Sequence, residues 1–372
     1  MIGSKDSKLI ESISDENETY SDDALYNITS FGTDLSFREI TLMYDEGDLL
    51  KPELQRKYVW TKNEASRFID SILLGLPVPS IFLAKTSDDK RLIVDGYQRI
   101  MTVYDFTKGT FSDDGKVFKL SKSENINEKW RGKTFKELTE EQKRRIRTSP
   151  IHAIVFEQKQ PLDDTGMYQI FERINTGGRV LKPQEIRNCV YHGKYNQMLF
   201  DLNKESTWRN IIGCDKEDTR MSDIELILRF FAFCELFNRS EINQKQINLV
   251  KYLNDFMASK KNISDKQVES DKSKFLEVIN YIYENIGEHA FRTGKVKNDD
   301  FVWAKKINPV VFDAVCVATY KVKHKSKIVD LEDKYKKLLT DEDFLKVTKQ
   351  RTTNIENIKQ RIRIAEKILY GV

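Results

Sequence analysis

The first strict helical rhythm follows Trp60. Ala65, Phe68, Ile69, Ile72, Leu73 and Leu76 recur at i, i+3, i+4 and i+7, the spacing of one buried helix face. Thr61 and Glu64 stand at capping-box spacing before it, and Gly75 and Pro77 close it. Two short apolar runs, "SIFLAK" and "KRLIV", flank "TSDD" and predict a β-hairpin or sheet pair. The second run passes straight into another helix, residues 97–106, with Tyr97, Ile100, Met101 and Tyr104 on one face. A polar, turn-rich interval over 108–150 carries one short helix, opened by Thr139 and Gln142. "IHAIVFE" then reads as a strand returning to the sheet.

Beyond Asp163 strand signals nearly vanish. Ser222 with Glu225 predicts the cap of "IELILRFFAFCELF", a helix apolar on most sides. Glu225 and Arg229 have i, i+4 spacing for a helix pair, with a buried structural role the other reading of Arg229. Thr353 with Glu356 predicts the start of a last helix carrying Ile355, Ile358, Ile362, Ala365 and Leu369 on one face. The expected fold is α+β: a small mixed α/β domain followed by a larger all-helical region. The expected boundaries are a flexible acidic tail over 1–23, the α/β domain over 24–175 and the helical domain over 176–372.

Composition changes this picture only slightly. At 372 residues the chain is long for one domain, and 39% hydrophobic residues suffice for a core. The net charge of +4 is too small to establish nucleic-acid binding, so local clusters must carry that argument. Lys143, Arg144, Arg145 and Arg147 form the densest, supported by Arg131 and Lys133; such a run is either a solvated face or a DNA phosphate contact. Four cysteines without a C-x-x-C pair fit reduced thiols in a cytoplasmic protein. No apolar run approaches the roughly 18 residues that span a bilayer, so no membrane association is expected. The amphipathic last helix offers a face for homo-oligomerisation.

The chemistry concentrates where the strand of residues 91–94 meets the helix at 97. Asp95 and Gly96 stand at the joint, with Gln98 and Arg99 in the first helical turn. A helix N-terminus presents unpaired N–H groups and about half a positive charge, which attract anions. Glycine would let an oxyanion approach the backbone, and arginine adds a planar fork suited to phosphate. Asp95 is either the helix N-cap or a ligand for a divalent ion. Two other segments share the chemistry. Gln55 and Arg56 precede the first capped helix. Arg173, Asn175 and Thr176 precede Gly177 and Gly178, a loop that is either a helix-to-helix turn or a phosphate or ribose cradle.

In order, "LQRKYVW", "FIDSILLGLPVPSIFL", "LIVDGYQRIMTVYDF" and "FERINTGGRVLKPQEIRN" resemble the N-terminal domain family of GmrSD-type modification-dependent restriction proteins, placed in the ParB/sulfiredoxin-like superfamily. The resemblance is strong over residues 30–195 and weaker through "RMSDIELILRFFAF". It implies a compact α/β domain whose D-G-x-Q-R element binds and hydrolyses a nucleoside triphosphate with Mg²⁺, coupled to attack on foreign or modified DNA. The signature falls on Asp95, Gly96, Gln98 and Arg99, with Tyr97 at the variable position. The upstream Q-R element falls on Gln55 and Arg56, and the N-T-G-G loop on residues 175–178. The resemblance does not give the preferred base. Longer members carry an HNH-type nuclease; the four histidines here, His152, His192, His289 and His324, are scattered. The expectation is therefore no HNH module in this chain, and a separate nuclease or methyltransferase partner.

Three competing motifs are weaker. "GTFSDDGKV" lacks P-loop glycine spacing and the Ser/Thr that would hold magnesium. Cys189 and His192 lie one helical turn apart, as metal ligands can, without a second pair, and read as packed side chains. Glu157 and Lys159 form E-x-K at a strand end, as in many magnesium nucleases. A nuclease or nickase in its own right, and a non-catalytic nucleic-acid or partner-binding module, are therefore the alternatives to a nucleotide-hydrolysing component of a DNA-defence system.

Overall fold

The computed structural model describes residues 9–13, 28–51, 60–86, 88–158, 165–174, 181–238, 245–298, 300–322 and 329–372. The chain divides into two compact units. The first comprises Asp22–Leu181 with Asn188–Val190; the second comprises Met1–Ser21, Lys182–Arg187 and Tyr191–Val372. No helix among the described residues is long and apolar enough to cross a membrane.

In chain order the first unit contains β1 (Ile28–Ser36), α1 (Phe37–Glu46), β2 (Leu49–Leu50), α2 (Lys62–Leu74), β3 (Ile81–Lys85), β4 (Arg91–Asp95), α3 (Tyr97–Lys108), α4 (Glu140–Thr148), β5 (Pro150–Gln158) and α5 (Thr165–Ile174). The strands form one mixed sheet in the order β1-β5-β3-β4-β2. β3 and β4 make the expected hairpin, and β5 returns parallel to β3. Ile81, Leu83, Ile93, Ile151, Ala153 and Val155 face a core shared with Phe37 and Ile40 of α1, Phe68, Ile69 and Ile72 of α2, and Ile100 and Val103 of α3. Leu92, Val94 and Ala84 are buried as well, so the middle of the sheet is covered on both faces, as its continuous apolar runs require.

The caps at Thr61 and Thr139 form as the spacing predicts, with both halves of each box in place. A third box, Ser36 with Glu39, opens α1, ahead of the first element that periodicity predicts. The polar interval after α3 is pinned by buried acceptors. Asp105 accepts from Ser112 N–H and Oγ, both at 2.7 Å. Asp70 accepts from Trp130 Nε1 at 2.7 Å and from Asn127 N–H at 3.0 Å. The "GTFSDDGKV" stretch is thereby a loop tied to α3 through Ser112.

The second unit contains α6 (Pro183–Val190, its last residues grouped with the first unit), α7 (Lys194–Asn203), α8 (Ser206–Ile212), α9 (Ser222–Asn238), α10 (Leu249–Ser259), α11 (Asp265–Ile286), β6 (Arg292–Lys297), β7 (Asp300–Ile307), α12 (Pro309–Lys321), α13 (Leu331–Thr340), α14 (Glu342–Lys349) and α15 (Ile355–Ala365). The whole is α+β, but the second unit is not all helical: β6 and β7 pair antiparallel as a two-stranded ribbon. Alternation there is broken by lysines and a bulge, which hides it from a periodicity search.

Further expectations are corrected. Residues 9–13 lie within the expected flexible tail yet are held: Ile10 bridges Ile307, Glu11 N–H donates to Ile307 O at 2.9 Å, and Ile307 N–H donates to Leu9 O at 2.8 Å. Glu225 does not pair with Arg229. Its carboxylate accepts from Arg187 at 3.0 Å, and Ser222 Oγ accepts instead from Lys182 Nζ at 3.1 Å. Arg229 grips buried Asp313 through two bonds, of 3.0 and 2.5 Å, and Arg361 donates to the same carboxylate at 3.2 Å. The last helix is capped by Asn354, one residue beyond Thr353, while Ile355, Ile358, Ile362, Ala365 and Leu369 are all buried as the pattern predicts.

Candidate functional site

The D-G-x-Q-R element occupies the exit of β4. Arg91 to Asp95 form a strand whose Leu92, Ile93 and Val94 are fully buried between β3 and β2. The pairing with β3 slips at this exit: Leu83 faces Ile93, but Phe82 faces Asp95. β4 thus carries one extra residue immediately before the acid. Simple alternation would send Asp95 to the apolar face that Ile93 occupies; a bulge re-aims side chains, and the carboxylate is 44% exposed.

Gly96 follows in the left-handed conformation, φ 98°, and is itself the N-cap of α3, with no side chain capping the helix. Asp95 is therefore not the cap. The glycine also lies tightly against Ile81 of β3, leaving no room for a side chain. Its presence serves the turn geometry whether or not an anion approaches.

Arg99 curls back from the first turn of α3. Its Nη2 donates to Asp95 Oδ2 at 2.5 Å and to the Ser80 carbonyl at 3.1 Å. The side chain is 16% exposed, and its Nε is buried without a hydrogen-bond partner. Such an orphaned donor on a charged group is costly. Gln98 Oε1 accepts from Trp60 N–H at 3.3 Å, which joins the first turn of α3 to the residue preceding α2. Lys51 Nζ stands 5.2 Å from the centre of the Tyr97 ring, adding a cation beside the same turn. Asp95, Gly96, Gln98 and Arg99 are thus gathered at one strand exit, within reach of Trp60, Ser80 and Lys51. Sequence reasoning did not anticipate these last three, because their contacts arise only from the tertiary fold.

Arg173 is exposed in the last turn of α5, a helix that packs against β4. Beside it, burial raises the Glu172 carboxyl above its ordinary range, against the lowering effect of Arg173. Gln55 and Arg56, and Asn175, Thr176, Gly177 and Gly178, lie outside the described residues, as does Lys159. Cys189 is buried and unbridged. Glu157 is engaged across the sheet with Lys85 at 3.3 Å. Among the described residues no group of three or more His, Cys, Asp or Glu side chains could hold a metal ion.

The basic cluster on α4 is less free than its composition suggests. Lys143 pairs with Glu140 at 2.8 Å, and the Arg147 guanidinium sits 5.2 Å from the Phe135 ring centre. Arg144, Arg145 and Arg147 are exposed. Arg131 is spent on the Ile126 and Glu124 carbonyls.

Residues 37–192 match the family model described as GmrSD restriction endonuclease, N-terminal domain. No curated protein and no solved structure matches the chain. The matched stretch opens at α1 and closes just past α6, so it spans the sheet core from α1 onward, the D-G-x-Q-R element and the α5–α6 segment. Over residues 37–192 this chain is therefore similar to the GmrSD-type N-terminal domain family.

Proposed function

We propose that this chain binds and hydrolyses a nucleoside triphosphate at the β4–α3 joint, as a component of a restriction or anti-phage defence system that acts on foreign or modified DNA. The observation that carries the reading is Arg99: a mostly buried guanidinium at an uncapped helix start, with its Nε unpartnered and an exposed carboxylate one turn away. The match over residues 37–192 to the GmrSD N-terminal domain supports the defence context.

The donor set suits a metal that arrives with the nucleotide rather than a resident one. Asp95 is a single carboxylate, and Mg²⁺ is commonly bound by one or two carboxylates plus phosphate oxygens and water. Asp95 would hold the ion, which would supply positive charge to offset that of the phosphates. The chain's own residues do the remainder. Arg99, with Arg56, neutralises phosphate charge; the first-turn amides of α3 and Gly96 face the anion; Gln98 orients the attacking water. Gln55, Arg173 and residues 175–178 are the further phosphate or ribose contacts that the family resemblance implies. DNA is the proposed macromolecular partner, with Lys143, Arg144, Arg145 and Arg147 as one phosphate-contacting face. Cleavage falls to a separate nuclease, or recognition to a methyltransferase partner. An intrinsic nuclease built on Glu157 has less support, because Lys85 already engages that carboxylate.

The test is phosphate release from each of the four triphosphates, with and without duplex DNA, for the wild-type chain and for Asp95→Ala, Gln98→Ala and Arg99→Ala. Arg99→Ala should weaken nucleotide binding, whereas Gln98→Ala should lower turnover with binding nearly intact. Hydrolysis unchanged in all three variants would overturn the assignment.

A further inference from the structure

The β6–β7 ribbon carries a concentration of charge that the proposed nucleotide site does not use. Residues 292–307 hold five basic and two acidic residues in a chain whose net charge is only +4. Arg292 is committed to the Ile211 carbonyl at 3.0 Å. Lys295, Lys297, Lys305 and Lys306 are exposed, and none forms a salt bridge among the described residues. Lys295 and Lys297 alternate along β6 and therefore share a face. Lys305 and Lys306 are consecutive, in the stretch of β7 where the register slips between Arg292 and Gly294. Val302, 46% exposed, lies opposite Lys295 in the pairing, and Val296 is 61% exposed.

The ribbon is firmly mounted. Trp303 stacks on His289 at 4.9 Å and on Tyr335 of α13 at 5.7 Å. Phe301 meets Trp303 edge-on at 4.6 Å and lies over Gly294, where no side chain could fit. Tyr335 Oη donates to the Arg292 carbonyl at 2.8 Å. The aromatic residues anchor the ribbon to the helical unit, while the lysines and two valines project to solvent.

We propose that this ribbon is a duplex-DNA-binding arm, with Lys295, Lys297, Lys305 and Lys306 on phosphates and Val302, on the face of Lys295 and Lys297, against the groove. The inference rests on the defence reading only for its choice of DNA; the charge and the geometry stand independently. A two-stranded ribbon fits the major groove of B-form DNA but not the deep, narrow one of an A-form helix, and unpaired lysines supply the counterion-releasing contacts that dominate such binding.

The experiment is fluorescence anisotropy with labelled duplex DNA over a series of salt concentrations. It compares wild type with the fourfold variant Lys295→Gln/Lys297→Gln/Lys305→Gln/Lys306→Gln. The slope of log affinity against log salt should flatten by roughly 0.9 per lysine in the ribbon variant, with affinity falling at least tenfold. Thermal melting and DNA-free phosphate release should match wild type, so failure of the arm is distinguishable from failure of the nucleotide site. The proposal is overturned by an unchanged slope in a folded ribbon variant, or by wild-type protein that does not bind duplex DNA. It is equally overturned by binding to duplex RNA as tight as to DNA, or by displacement with polyglutamate at equal charge, which would assign an acidic polypeptide instead.

Discussion

A first side-chain carbon on Gly96 would sit 2.3 Å from Ile81 Cγ2, on the strand next to the one that Gly96 terminates. The same residue has φ 98°, a conformation that costs non-glycine residues roughly 1–2 kcal/mol. Overpacking a tight core adds typically 1–3 kcal/mol. Gly96→Ala should therefore lower stability by about 2–5 kcal/mol in denaturant unfolding. In the double variant with Ile81→Ala the clash is relieved but the backbone penalty persists, so the two effects should be less than additive. Strict additivity would mean that the two residues do not compete for space.

Arg99 should not tolerate lysine as a nucleotide-binding residue. Its Nη2 alone holds both the Asp95 carboxylate and the Ser80 carbonyl while Nε stays unpartnered in the interior, and an ammonium lacks the further planar donors that suit phosphate. A lost charge-assisted bond is worth roughly 1.5–3 kcal/mol. Arg99→Lys is thus expected to weaken triphosphate binding by about tenfold or more in calorimetric titration. Wild-type affinity in this variant would show that a point charge is sufficient.

Asp313 is fully buried and neutralises both Arg229 and Arg361. Asp313→Ala removes the carboxylate that the two buried guanidinium groups share, and removing one partner of a buried pair costs roughly 3–5 kcal/mol. Arg229→Met should cost less, because Arg361 still answers the carboxylate. Chemical denaturation of both variants checks the ranking, and the reverse order would contradict the shared-carboxylate account.

Burial raises the Asp105 carboxyl above its ordinary value of 3.8, against the lowering effect of its two bonds from Ser112. A raised folded-state value means that the native protein holds this proton more tightly than the unfolded chain. Its contribution to stability is greatest below 3.8 and is lost as pH rises through the raised value. Asp105→Asn can keep both contacts, accepting from Ser112 N–H and donating to its hydroxyl, without the charge. The melting-temperature difference, variant minus wild type, should grow in the variant's favour from acid toward neutral pH. A difference that stays flat across that window would refute the assignment.

Where the fold was legible, short-range rules sufficed. Thr61 with Glu64 and Thr139 with Gln142 marked helix starts because each box is local, and the apolar rhythm of α2 and α15 matched their buried faces. Ser36 with Glu39 carried the same signal before α1, but the flanking apolar rhythm was too brief to draw attention to it. Arg229 illustrates what local spacing cannot decide: a carboxylate four residues away lost to Asp313, 84 residues away, because the buried site offered two bonds instead of one. At the candidate site the cluster itself was readable in D-G-x-Q-R. The slip in β4 pairing that turns Asp95 outward was not, since a bulge depends on the neighbouring strand's register.

The bridge from Ile10 to Ile307, reinforced by Asn308 donating to Glu11 across 297 residues of sequence, gives the helical unit a discontinuous pedigree. During synthesis the early segment leaves the ribosome long before the strand it will join exists. Expressing the later portion alone would leave the edge of β7 beside Ile307 bare, and such a fragment should gain solubility when a peptide spanning residues 9–13 is supplied in trans.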